Sequence, residues 1–194
     1  GRIWIGTDEG VIQTTADGGP HWRDVTPNAI GPFWKVFMID AGHHDGLTAY
    51  AAVNTLRLDD MRPHVYPTRH GRTPRSEIVT GMEGAGPANA VREDPVKPGL
   101  LYASTERGVY VSFDDGDHWR SLRLNLPATS VRDLIVKDDD LAIATHGRGF
   151  WILDNITALR QIADAAKADA FLFKPADATT MPAPCANMGS KVSI

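Results

Sequence analysis

The 194-residue sequence predicts an all-β protein: a β-propeller segment of about four blades, each a four-stranded antiparallel sheet, with a short C-terminal helix. Three observations predict it. Short stretches rich in β-branched and aromatic residues recur about every ten residues, punctuated by Gly, Asp, Asn and Pro. A polar turn closed by a Trp is written twice, ending at Trp22 and again at Trp119. No helix-length periodic run separates the strands before residue 154, which argues against a parallel α/β sheet.

Taken in order, the predicted strands are 2–8, 10–15, 35–42, 47–55, 64–69, 76–81, 100–106, 108–113, 131–138, 141–147 and 149–155. The repeat groups them. "IWIGTDEGVIQTTADGGPHWRDV" aligns with "LYASTERGVYVSFDDGDHWRSL": a strand with an aromatic, Thr, an acidic residue, Gly-Val, a second strand, the turn, then His-Trp-Arg. A worn copy spans 49–79, with Thr68, Gly71 and Thr73 in the turn and Pro74 in place of the Trp. A fourth unit, "LAIATHGRGFWILDN", keeps the two middle strands and lacks the turn. Units of about 40 residues with four short strands are blade-like. The blades are placed at 1–32, 33–81, 88–127 and 130–156, with three strands in 1–26, four in 34–81, four in 88–126 and three from 131.

Residues 157–175 are expected to hold a helix and a closing strand, "AFLFKP". Asn155 or Thr157 caps the helix, and Leu159, Ile162, Ala163 and Ala166 fall at helical spacing. From 176 to 194 the small polar composition predicts a flexible tail.

Composition narrows the function. A net charge of −4, with scattered Lys and Arg, argues against nucleic acid as a partner. No apolar run reaches the roughly 20 residues of a membrane-spanning helix. The single Cys185 leaves no internal disulfide and no cysteine-rich metal site, and no motif calls for a cofactor. The chain opens without Met in mid-pattern, as a fragment or processed chain would, and shows no signal peptide. "AGHHDG" (41–46) could offer ligands to a metal, but adjacent histidines on a strand point to opposite faces, so no metal site is assigned.

The turn reads Ser/Thr-x-Asp-x-Gly-x-x-Trp: Thr15, Asp17, Gly19 and Trp22, then Ser112, Asp114, Gly116 and Trp119. This resembles the Asp-box, or BNR repeat, of sialidases, xyloglucanase-type glycoside hydrolases and sortilin-type receptors. His21 and His118 stand where a Thr usually precedes the Trp. The carboxylate accepts turn amides, Gly takes positive φ and the Trp plugs the gap between blades, so Asp17 and Asp114 read as fasteners rather than catalysts. Over residues 1 to about 175 the chain also resembles the closing blades of large bacterial proteins labelled sialidase-like or glycosyl hydrolase. That resemblance implies an exported or periplasmic location.

Propeller ligands usually meet the innermost strands and the loops entering them. Those places hold Trp34, Lys35, Asn89, Arg92, Glu93, Arg132 and Asp133. Trp34, Asn89, Arg92, Arg132, His146 and Arg148 are the candidate ligand-binding residues. Glu93 and Asp133 are the candidate catalytic pair, since glycoside hydrolysis needs two carboxylates roughly 5 Å apart for retention and about 6.5–9.5 Å for inversion. The sialidase resemblance implies three arginines and a Tyr/Glu pair; only Arg92 and Arg132 stand in suitable places. Two functions therefore remain: a scaffold binding a carbohydrate or protein ligand, and an active glycoside hydrolase. Open blade edges lead to the expectation of a homo-oligomer.

Overall fold

The computed structural model describes residues 1–69 and 76–176. Four antiparallel sheets follow one another along the chain, each a meander in sequence order. The first holds β1 (Ile3–Gly6), β2 (Ile12–Thr15) and β3 (Arg23–Asp24); the second holds β4 (Lys35–Ala41), β5 (Thr48–Asn54) and β6 (His64–Arg69). The third holds β7 (Ala88–Glu93), β8 (Leu101–Thr105), β9 (Gly108–Ser112) and β10 (Trp119–Ser121), and the fourth β11 (Val131–Lys137), β12 (Asp140–Thr145) and β13 (Phe150–Leu153). This is the predicted all-β propeller segment. Among the described residues, however, only the third sheet has four strands.

Two expected strands are absent. Residues 76–81 form none: Ile78 N donates to Val65 O of β6, while Thr80 O accepts from Trp119 N of β10. The segment divides its backbone between two sheets, so it completes a ladder with neither. Residues 171–176 also hold no strand, because the Gln161 side chain takes both backbone groups of Lys174 at 2.9 Å. The helix is shorter than expected and starts as a 3-10 turn, Ile156–Gln161, before α1 (Ile162–Ala165). Asn155 does cap it, its Oδ1 accepting from Thr157 N. Gly71, Thr73, Pro74, Cys185 and the expected tail from 177 lie outside the described residues.

Successive side chains of a strand point to opposite faces, and here both faces are used. In β5, Ala51 and Val53 face back into a core with Ile12 and Val25, while Tyr50 and Ala52 face forward into a core with Val91, Leu101, Ala103 and Trp119. In the third sheet Tyr102, Val109 and Val111 face forward against Leu134, Leu141 and Ile143. This explains why "TAYAAV" is apolar almost throughout: a sheet covered on both sides has no solvent face to alternate with.

The two polar turns share the same set of hydrogen bonds, to which the first adds Gly19 N on Asp17 Oδ1 at 3.4 Å. Thr15 Oγ1 donates to Asp17 Oδ1 at 2.6 Å and accepts from Gly19 N; Asp17 also accepts from His21 N and meets the His21 ring at 2.7 Å. Likewise Ser112 Oγ donates to Asp114 Oδ1 at 2.8 Å and accepts from Gly116 N, while Asp114 accepts from His118 N and meets the His118 ring at 2.7 Å. Gly116 has φ +87, and a Cβ there would lie 2.4 Å from Ile78 in the segment between the second and third sheets. Trp119 then inserts between sheets, donating Nε1–H to Ile78 O at 2.9 Å. Its counterpart differs: Trp119 is 3% exposed and Trp22 41%.

The C-terminal turn is fastened by one cation. Arg160 donates Nε–H to both carboxylate oxygens of the fully buried Asp94, and its other nitrogens reach Asp139 and Asp138 O. Burial pulls the Arg160 pKa down, but the bonds to Asp94 and Asp139 more than reverse this.

Two expectations follow. Arg160→Ala strands the Asp94 carboxylate in the interior and should lower unfolding free energy by about 3–5 kcal/mol in urea titration, with Arg160→Lys recovering part. Burial raises the Asp114 pKa, yet the bonds from His118 and Ser112 outweigh it and hold the carboxyl below the usual range. Its contribution is therefore complete above an ordinary carboxylate pKa of about 4 and is lost as pH falls further. Acid denaturation of Asp114→Asn should accordingly show a flatter decline than that of the parent chain.

Candidate functional site

Within the second, third and fourth sheets the first strand enters at one end of the structure, and the turn between second and third strands lies at that same end. Topology therefore gathers the entries at Trp34, Ala88 and Val131 with the turns 55–63, 106–107 and 146–149. Trp34, Asn89, Arg132, His146 and Arg148 share this end. Glu93 does not: it closes β7 at the opposite end.

Asn89 is buried, donating to Glu106 Oε1 at 3.1 Å and to Val131 O at 3.0 Å. Arg132 pairs with the same Glu106 at 2.9 Å. Together they join the third and fourth sheets at their entries. His146 and Arg148 are exposed in the β12–β13 turn, where His146 N donates to Ser130 O and Arg148 O accepts from the Trp151 indole.

Arg92 links three first strands. Its Nη1 donates to Asp40 Oδ1 of β4 at 3.0 Å, its Nη2 to Asp133 Oδ1 of β11 at 3.3 Å, and its Nε to Leu134 O. Asp133 thus faces the Arg92 guanidinium. Glu93, the next residue, leaves β7 on the other side, where its Oε2 accepts from His43 N at 2.6 Å. The two candidate catalytic carboxylates consequently occupy opposite faces of β7 and hold different partners. In the neighbouring loop, His44 Nε2 meets Asp94 O at 2.8 Å and Asp45 accepts from Thr48 Oγ1. Among the described residues no three His, Cys, Asp or Glu side chains are placed to hold a metal ion. Nor is any described helix long and apolar enough to cross a membrane.

A concavity lies between the second and third sheets at the entry end. One cavity of about 390 Å³ is lined by Leu56, Met61, Pro87, Glu106, Arg107 and Arg132. A second, of about 430 Å³, shares Met61 and Gly84 with it and continues over Pro63, His64, Glu77, Val79 and Met82. The two adjoin at Met61 and Gly84 as one groove, lined by apolar and charged side chains of both signs.

Sequence reasoning missed the polar cluster in its wall. His64, buried at the start of β6, is held between Glu77 on Nδ1 and Asp60 Oδ2 on Nε2. The Arg62 guanidinium grips Asp60 and holds its carboxyl well below the usual range. Burial, then the charge of Glu77, pushes the Tyr66 hydroxyl upward. The Trp34 ring lies against His64, centroids 4.7 Å apart. "RLDDMRPH" carried one available signal, a His preceded at four residues by an Asp; its partner Glu77 lies across an intervening loop and was not readable.

No protein-family model matches the sequence, and no curated protein does. Solved structures do. A GH74 xyloglucanase from Xanthomonas campestris superimposes with a TM-score of 0.59 and 20% identity over 80% of this chain and 26% of that one. YCF48 bound to D1 peptide gives 0.56 and 16% identity, over 78% of this chain and 46% of that one. YCF48 from Cyanidioschyzon merolae gives 0.53 and 15% identity, over 79% and 49%. The chain thus spans under half the length of either YCF48 chain and about a quarter of the xyloglucanase. At these identities the likeness carries the fold alone, and that fold is a β-propeller segment.

Proposed function

We propose that this chain is an Asp-box propeller module, related to sialidase-like BNR-repeat proteins, that binds an extended protein segment across the groove between its second and third sheets. The observation carrying this reading is the groove itself. Its flooring of Met61, Met82, Val79, Leu56, Pro63 and Pro87 adapts to side chains of varied shape, as thioethers do. Glu106, Arg107 and Arg132 stand at one end, with Arg62, Glu77 and Glu83 toward the other, giving both signs of charge to an incoming backbone and its side chains. Among the described residues no Trp, Tyr or Phe lines either cavity to stack a sugar, which favours a peptide over a glycan. The solved YCF48 bound to a D1 peptide supports the same class of ligand. Engagement of Glu93 by His43 N and of Asp133 by Arg92 supports binding over hydrolysis.

The likeness to the GH74 xyloglucanase keeps glycoside hydrolysis as the second reading. Display of a random peptide library, followed by calorimetry with the selected peptides, tests the first. Saturable binding that weakens about tenfold or more in Met61→Asp, at a position 56% exposed, without change in thermal midpoint, is the expected outcome. Binding of xyloglucan oligosaccharide or sialyllactose at the same groove would replace the peptide by a glycan. Turnover of chromogenic glycosides that disappears in Glu93→Gln or Asp133→Asn would overturn the scaffold reading altogether.

A further inference from the structure

Two segments line the groove side by side, the turn between β5 and β6 and the stretch 76–81 beyond β6, and one buried ring ties them together. His64 is 2% exposed and meets a carboxylate at each nitrogen: Glu77 at Nδ1, and Asp60 Oδ2 at Nε2, the latter at 3.3 Å. Asp60 directly precedes Met61 and Arg62 of the groove lining, and Glu77 stands two residues before Val79. The ring therefore fixes where the Met61 part of the lining stands relative to the Val79 part.

A neutral imidazole has one N–H and one lone pair, so between two carboxylates it satisfies one and turns its lone pair on the other; an imidazolium donates to both. The bond a neutral ring gives up is the longer one, because Asp60 keeps other donors: Arg62 Nη2 at 2.7 Å, with Arg62 Nε and Arg62 N each at 3.0 Å. The surroundings leave the ring as the group that changes charge. Those Arg62 bonds keep Asp60 ionised, and burial keeps the Tyr66 hydroxyl beside Glu77 protonated. Trp34, packed on the ring from the entry of β4, and Val53, opposite it on β5, carry no charge. Lys35 beside Trp34 and Arg57 of the turn are both paired with Asp8.

We propose that His64 is a pH-sensitive latch on the groove: charged, it joins Asp60 to Glu77 and holds the two walls in one arrangement; neutral, it releases Asp60, and the Met61 turn moves independently of the stretch 76–81. Imidazole is the side chain that changes charge between about pH 5 and pH 8. The walls are accordingly joined at the acidic end of that range and come apart toward the alkaline end. Affinity for a peptide then falls as pH rises, since only the molecules with joined walls bind at full strength. This last consequence rests on the peptide reading of the groove; the latch itself does not.

NMR of the whole chain from about pH 5 to about pH 9 tests it, following the His64 ring, the Met61 methyl and the Asp60 amide. The expected result is one single-proton curve shared by all three, with the amides of β8 and β9 unmoved. Asp60→Asn, whose carboxamide donates to an unprotonated ring nitrogen, should leave the His64 titration in place and abolish the Met61 response. His64→Gln, with no ring proton to lose, should abolish that response too, and decides the matter if Asp60→Asn disturbs the turn. Peptides selected at the acidic end should bind the parent about fivefold more weakly at the alkaline end, and either variant within about twofold across the range. A His64 ring that titrates while Met61 stays still overturns the latch. So does a ring that keeps one charge throughout, or a Met61 response that persists in both variants. A Met61 response with unchanged peptide affinity overturns the control of binding. Failure to select any peptide counts against the peptide reading alone, and the Met61 response still decides the latch.

Discussion

Everything in this structure depends on sheets that must be covered on both faces. A lone three-stranded sheet of this length buries too little to hold itself, and each one here borrows its stability from neighbours. That single requirement accounts for the run of small apolar residues in β5, for Trp119 reaching across to Ile78 O, for Gly81 against the Trp119 backbone and for Gly116 against the Ile78 side chain. It also accounts for polar contacts that cross from sheet to sheet. Tyr50 of the second donates to Asp115 of the third, and Arg92 joins the first strands of three.

Charge follows the same logic. Carboxylates in this chain are mostly occupied with amides, hydroxyls or guanidinium groups that hold turns and strand entries together. Asp17 and Asp114 close turns; Asp40 and Asp133 flank Arg92; Asp94 is satisfied by Val96 N, Lys97 N and Arg160. Asp17 illustrates the effect at the surface, where the Thr15 hydroxyl and then the His21 ring keep its carboxyl far below the ordinary range. A site built for acid–base chemistry would need groups poised near working pH. The groove at the entry end offers a different chemistry: soft apolar area bounded by mixed charge.

Much of the fold was legible because a repeat states its architecture more than once. The two Asp-Gly turns align in the sequence and superimpose in their hydrogen bonds, and the third sheet has its four expected strands. What was not legible depended on contacts between units. Residues 76–81 have the composition of a strand, and only the arrival of Trp119 shows why they pair with nothing continuously. "AFLFKP" looks like a closing strand until Gln161 claims the backbone of Lys174. The site was less legible than the fold. Glu93 and Asp133 look alike in the sequence of adjacent units, but Glu93 closes β7 and turns to His43 while Asp133 stands early in β11 and meets Arg92. His64 escaped notice because its meaning lies in Glu77, which composition alone could not connect to it.

The Arg160 clamp bears on how this chain responds to force. The chain passes from the fourth sheet into the C-terminal turn, and strands of that sheet would unzip one hydrogen bond at a time if pulled directly. Arg160 instead anchors that exit to Asp94 of the third sheet and to Asp138 and Asp139 of the β11–β12 turn at once. Tension arriving from the C-terminal side is thereby shared between two sheets and loads several bonds in parallel, turning a peeling geometry into a shearing one.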